Sequence, residues 1–392
     1  MERATTSKRK FLMSDLVKKT KELSTDVNRK DQDGIKDYLI ISDFGTSFVA
    51  SEPGFVKQYF RIFTPVKSYK GRKLNSIYGD SFNPFKDTLM DYPTIVQYKL
   101  GKVGTLDWEN YNRLVSLHIP RCPLSCWHCY VDECLKANCN ICAAKKYCDQ
   151  NMKVNTGIKE NWFSAKKIVD GFVEQRNLDK EKGLFSNILR ITGGEPFLVP
   201  DLLLGILEEL KRRQLHDEVF LWTETNLIPL IVQDNEDAIV SDKLLNKLAA
   251  YRNFCVHPCF HGLNEKNFEE VTGETINDFN FLLRAFERLL NAGIDIYPTF
   301  GSNMSLPEDV ERFYNKISEI DRLLPLRFCL IEYDLDYNPV KWRRKNIPNF
   351  AKRHEKVYDR FEVIERWDGL LRKNTKYKYG DIPRHLVPMK RR

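Results

Sequence analysis

From residue 114 to residue 332 the chain alternates between short β-type runs and amphipathic helical stretches, and no other feature narrows its fold as far. Runs at 114–120, 187–192, 218–223, 253–260, 294–300 and 326–331 read as strands. Helical periodicity over about 163–176, 200–213, 241–250, 275–291 and 307–321 fills the intervals. Strands separated by helices build a parallel sheet, and right-handed crossovers curl it into an open barrel. The expected fold is therefore α/β, a partial (β/α)6 barrel over 114–332. Such folds carry their reactive groups at the C-terminal ends of the strands. The strands are also two-faced. Cys255, His257, Cys259 and His261 share one side, and Phe254, Val256 and Phe260 the other. Arg190 and Thr192 alternate with Leu189 and Ile191 in the same way. A polar inner face suits a barrel that holds a ligand.

Seven of the ten cysteines fall between Cys122 and Cys148. A disulfide framework belongs to short secreted chains, so thiols this dense point to metal. Directly after the first strand comes Cys122-Pro-Leu-Ser-Cys126-Trp-His-Cys129, a C-x3-C-x2-C loop. Three thiolates can hold three irons of a [4Fe-4S] cluster and leave the fourth open to a small molecule. A closed zinc site with Cys134 or His128 as fourth ligand fits the spacing equally well. The next strand ends in Thr192-Gly193-Gly194-Glu195-Pro196. Two adjacent glycines there are expected to let a ligand approach the main chain.

With the cysteine loop, the Gly-Gly-Glu-Pro turn and six βα units in this order, the chain resembles the radical S-adenosylmethionine (radical SAM) superfamily over about 114–332. The resemblance implies that S-adenosylmethionine (SAM) chelates the open iron. One electron then cleaves it to methionine and a 5′-deoxyadenosyl radical, which abstracts a substrate hydrogen. It implies Cys122, Cys126 and Cys129 as cluster ligands and His128 beside the adenine. Gly193, Gly194 and Glu195 would receive the methionyl amino group. Glu224 and Asn226, after the third strand, and His261, after the fourth, would contact other parts of SAM. An electron donor such as flavodoxin or ferredoxin is the implied partner. No adenine motif stands out on the fifth strand near 299–302.

Cys134, Cys139, Cys142 and Cys148 continue as C-x4-C-x2-C-x5-C. Four thiols make a full ligand set, for an auxiliary iron–sulfur cluster or for zinc. They mark 130–160 as a cysteine-rich insertion in the barrel.

The flanks are harder to read. Residues 1–35 form a basic N-terminal extension with weak helical periodicity. Residues 36–113 form an aromatic-rich lead-in or cap region, with short strands near 38–41 and 59–63. Residues 333–392 form a basic C-terminal extension. The net charge is +8, yet 341–392 alone holds 17 Lys and Arg against 6 Asp and Glu, so the rest nets −3. Such a segment suits an acidic macromolecular substrate (a peptide, protein or RNA), or is simply a solvated helical face. With 42% hydrophobic and 30% charged residues, the chain is neither disordered nor fibrous as a whole. No apolar run is long enough to span a membrane, and no apolar segment follows the charged residues 1–10 as a secretory signal would require. The sequence thus predicts a cytoplasmic radical SAM enzyme of unknown substrate. The rival is a non-catalytic zinc- or iron–sulfur-binding protein that binds an acidic macromolecule.

Overall fold

The computed structural model describes residues 2–41, 61–63, 99–100, 113–129, 131, 160–232, 238–331, 333, 340–341, 360–382 and 384–389. The chain starts with α1 (Glu2–Asp26), β1 (Asn28–Lys30), β2 (Lys36–Ile41) and β3 (Arg61–Phe63). The barrel alternation follows as β4 (Arg113–Ile119), β5 (Glu160–Phe163), α2 (Ala165–Glu181), β6 (Ser186–Gly193), α3 (Pro200–Arg212), β7 (Phe220–Thr225) and α4 (Asp242–Ala249). It continues with β8 (Phe254–Phe260), α5 (Glu265–Thr272), α6 (Asn280–Asn291), β9 (Thr299–Gly301), α7 (Pro307–Ile320), β10 (Cys329–Ile331) and α8 (Arg360–Thr375).

One ten-stranded sheet has the order β1-β2-β4-β6-β7-β8-β9-β10, with β3 on β4 and β5 on β2. β4, β6, β7, β8, β9 and β10 are parallel neighbours, the six strands read from the sequence. β2 and β3 pair antiparallel with β4, so these two strands of 36–113 extend the barrel sheet. Two strands are shorter than the sequence suggests. β9 has only three regular residues because Pro298 has no N–H for the ladder, although Ile296 still bridges to Val256. β10 starts at Cys329 because Leu324–Arg327 closes into a 3-10 turn around Pro325.

Helices cover the outer face. On α3, Leu202, Leu203, Ile206, Leu207 and Leu210 are buried, each worth about 1.5–3 kcal/mol. The flanking segments join this core. Leu16, Val17 and Leu23 of α1 are buried in it, as are Val363, Ile364, Trp367 and Leu371 of α8. Trp367 meets Phe300, Tyr314 and Phe328 with ring centroids 5.1–5.4 Å apart. One face of this basic helix is thus core, whatever the other face meets.

The N-terminal ends of the barrel strands form a closed floor. Trp222 stacks on Tyr297 at 5.5 Å and packs with Leu100, Leu114, Ile188, Phe220 and Cys255. Asp295 binds Lys99 and Arg327, both at 2.7 Å. Burial alone would raise the Asp295 carboxyl, but the two cations hold it below its ordinary range. Arg327 also donates to Val387 O at 2.8 Å, which ties down the C-terminal segment. No helix among the described residues is long and apolar enough to cross a membrane.

Candidate active site

The cysteine loop leaves β4 through Arg121, a non-glycine residue at φ +76°, and is pinned at several points. Ser125 N and Trp127 N donate to Thr272 O and Val271 O at 3.0 and 3.2 Å. These carbonyls end α5, where a helix has acceptors to spare. They fix the main chain on both sides of Cys126. Lys19 of α1 donates to Pro123 O at 2.7 Å and pairs with Glu274 at 2.7 Å. Two sulfurs receive hydrogen bonds: Asn226 Nδ2 reaches Cys122 Sγ and Val131 N reaches Cys129 Sγ, each at 3.4 Å. Cys126 is buried, and Cys122 and Cys129 are half-buried.

The sequence pattern did not reveal α5, the helix on which this loop rests. It is only eight residues long. Its signals are local: Asn264 caps it through Asn267 N, and Gly273 at φ +70° ends it.

The glycines of the turn answer to the protein's own packing. A Cβ on Gly193 or Gly194 would strike the main chain. At Gly194 it would land on Arg121 O, closer than any real contact, and at Gly193 it would lie 2.6 Å from Ile119 N and collide with Ile119 O. Gly194 N and Glu195 N donate to Ile119 O and Arg121 O at 2.7 and 2.8 Å. The glycines therefore seat the start of the cysteine loop against β6.

Glu195 is fully buried, and its carboxylate accepts from Phe197 N at 2.9 Å and Asn226 N at 2.7 Å. Burial pushes its pKa up to about 7, against the pull of these two amides. This carboxylate ties the glycine turn to the end of β7, and Asn226 continues the tie to Cys122.

Glu224 points to the barrel interior, where it pairs with Arg190 and accepts from Thr192 Oγ1 at 2.7 Å. Cys259 lies nearby. Burial, then Glu224 and Glu195, push its thiol well above the ordinary range, so it stays protonated. His257 is buried below it and held neutral by desolvation and by the charges of Arg384 and Arg190.

His128 lies 5.4 Å from His261 between ring centroids, and donor atoms of Cys126, His128 and His261 all fall within 4.8 Å of one another. Tyr333 also packs on His128, with centroids 3.9 Å apart. Tyr333 was not singled out in the sequence. It packs where Gly301 has no side chain; a Cβ there would lie 2.6 Å from the Tyr333 ring. The short fifth strand thus supplies space rather than a contact motif. Cys134, Cys139, Cys142 and Cys148 lie outside the described residues. The fold thus brings together ten of the sequence-predicted positions: Cys122, Cys126, Cys129, His128, Gly193, Gly194, Glu195, Glu224, Asn226 and His261.

A family model described as the radical SAM superfamily matches residues 116–317. No curated protein matches the chain in sequence. Similar solved structures include SuiB of Streptococcus suis bound to S-adenosylmethionine, 15% identical with a TM-score of 0.33. That similarity covers 62% of this chain and 44% of SuiB. Another is hexahistidine-tagged anSMEcpe with bound AdoMet, 17% identical with a TM-score of 0.34, covering 59% of this chain and 55% of that one. The chain spans about half the length of each.

Proposed function

Because the chain belongs to the radical SAM superfamily, whose members work with a [4Fe-4S] cluster and SAM, we propose that Cys122, Cys126 and Cys129 hold that cluster at the mouth of the barrel. When bound, the cluster supplies the electron that cleaves SAM to methionine and a 5′-deoxyadenosyl radical. The observation that carries the residue assignment is the support of the loop. Its sulfurs accept from Asn226 and Val131, and its main chain is tied to α1, α5 and the glycine turn. Three thiols so placed suit an iron–sulfur cluster with one open iron.

Around them, His128 and His261 offer ring faces and nitrogens to the nucleoside side of SAM. The turn at Gly193 and Gly194 sits beside the loop, where the methionyl group would lie. The substrate enters from the open end, toward Glu224, Arg190 and the Cys259 thiol. The charge of +11 over 341–392 favours an acidic peptide, protein or RNA. A one-electron donor such as flavodoxin or ferredoxin completes the reaction.

One observation favours a second reading. Cys126, His128 and His261 also resemble three ligands of a zinc site. Anaerobic reconstitution with iron and sulfide, followed by dithionite and SAM, separates the two. Our reading requires 5′-deoxyadenosine and methionine in equal amounts. One tightly held zinc with no SAM cleavage supports the other.

A further inference from the structure

On the outer wall of the barrel lies a recess of about 610 Å3 between the end of α1, the β1–β2 hairpin and the starts of α3 and α4. Its charged lining is Arg29, Lys30, Lys36, Lys243 and Lys247 against the single acid Asp201. Asp201 pairs with Lys36, and Arg29 pairs with Asp37 at 3.5 Å. Lys30, Lys243 and Lys247 are exposed and have no ion pair among the described residues. The recess therefore presents uncompensated positive charge.

It also connects to the cysteine loop. Leu198, in the lining, accepts from Ser24 Oγ at 2.6 Å and Asn28 Nδ2 at 3.3 Å. Leu198 N donates to Glu195 O at 3.1 Å. The Glu195 carboxylate accepts from Asn226 N, and Asn226 Nδ2 donates to Cys122 Sγ. Three residues thus link the lining to a sulfur of the loop. α1 makes a second link, since Lys19 on Pro123 O and Ser24 on Leu198 O are little more than one helical turn apart.

We propose that an acidic one-electron carrier protein docks in this recess and reduces the cluster from behind. The inference rests on the radical SAM reading of the cysteine loop. Such an enzyme needs two reactants delivered from outside, an electron and a substrate. The substrate hydrogen must touch the radical inside the barrel, and none of Arg190, Glu224 and Cys259 lines the recess. An acidic substrate or RNA held here would be on the wrong side of the sheet. An electron needs only proximity and a bonded path. In the transfer the carrier loses one electron, the cluster gains it, and no atom moves between them. Electron-transfer encounters are small and transient, and complementary charge gives them their rate.

The test uses the full chain, a strongly acidic flavodoxin as probe, and the triple variant Lys30→Glu, Lys243→Glu, Lys247→Glu. Binding is measured first on iron-free protein. The wild type should bind flavodoxin more weakly as salt rises, and the variant should lose about tenfold or more in affinity at low salt. On cluster-loaded protein, flavodoxin-driven bleaching of the cluster should slow by a similar factor, while dithionite-driven SAM cleavage keeps the wild-type rate. Unchanged flavodoxin affinity in a variant with wild-type thermal stability overturns the proposal. So does a short oligouridylate that loses affinity in the variant while flavodoxin does not, which would make the recess a nucleic-acid site. Failure of dithionite to drive SAM cleavage in the wild type would strike the radical SAM reading instead, and flavodoxin binding would still be scored by itself.

Discussion

The two ends of the same parallel strands are built on opposite principles. At the N-terminal end the barrel seals itself. Trp222 and Tyr297 fill the centre, and Asp295, Lys99 and Arg327 satisfy one another while Arg327 ties down Val387. At the C-terminal end the interior stays polar, with Arg190, Glu224, Cys259 and His261 each part-exposed. That end is held by main-chain devices: two glycines with no room for a Cβ, helix-end carbonyls on the loop, and a buried glutamate bridging two turns. A floor filled by side chains serves stability alone. A mouth held largely by main-chain contacts keeps polar side chains on its inner face.

The sharpest way to break this contrast is at Gly194. Valine there has no space beside Arg121 O, so Gly194→Val should cost about 4 kcal/mol or more in iron-free protein, read by denaturant unfolding. A variant as stable as the wild type, with only weaker SAM binding, would mean that the turn is glycine-rich for the ligand's sake alone.

The floor should respond differently. Arg327→Ala leaves buried Asp295 with Lys99 as its one ion-pair partner among the described residues, a loss of about 3 kcal/mol. The protein that remains folded should cleave SAM at the wild-type rate. Equal losses of stability and turnover per folded molecule would mean that the two ends are not separable.

The smallest effect concerns His385, beside the floor. Burial, then Lys99 and Arg327, lower its pKa from 6.5 to about 4. Between these values the unfolded chain binds the proton and the folded chain does not. The contribution is therefore full above pH 6.5 and lost as pH falls toward 4. His385→Asn should flatten the stability profile of the iron-free protein in that window. An unchanged slope would remove His385 from the account.

The legibility of the sequence follows the same division. Periodicity marked all six parallel strands, because α/β alternation is written in residues close in the chain. It also separated the faces of β8, where Val256 and Phe260 join the outer core and Cys255 joins the inner cluster. The cysteine loop and glycine turn could be read because their spacing is local. The reason for the glycines could not, since it depends on Ile119 and Arg121, more than seventy residues earlier. Tyr333 and the carbonyls of α5 escaped for the same reason: each meets the loop only through the fold. The role of α1 in the wall was hidden by its charge, because among its described side chains only a narrow stripe including Leu16, Val17 and Leu23 is buried.

The central claim is that Cys122, Cys126 and Cys129 hold the cluster that cleaves SAM. The direct measurement compares wild type with the Cys122→Ala, Cys126→Ala, Cys129→Ala variant after anaerobic reconstitution, counting iron and 5′-deoxyadenosine in the same samples. The account predicts about four fewer irons per chain in the variant and no 5′-deoxyadenosine, with thermal unfolding still cooperative. A variant that keeps its iron and still releases 5′-deoxyadenosine would contradict it.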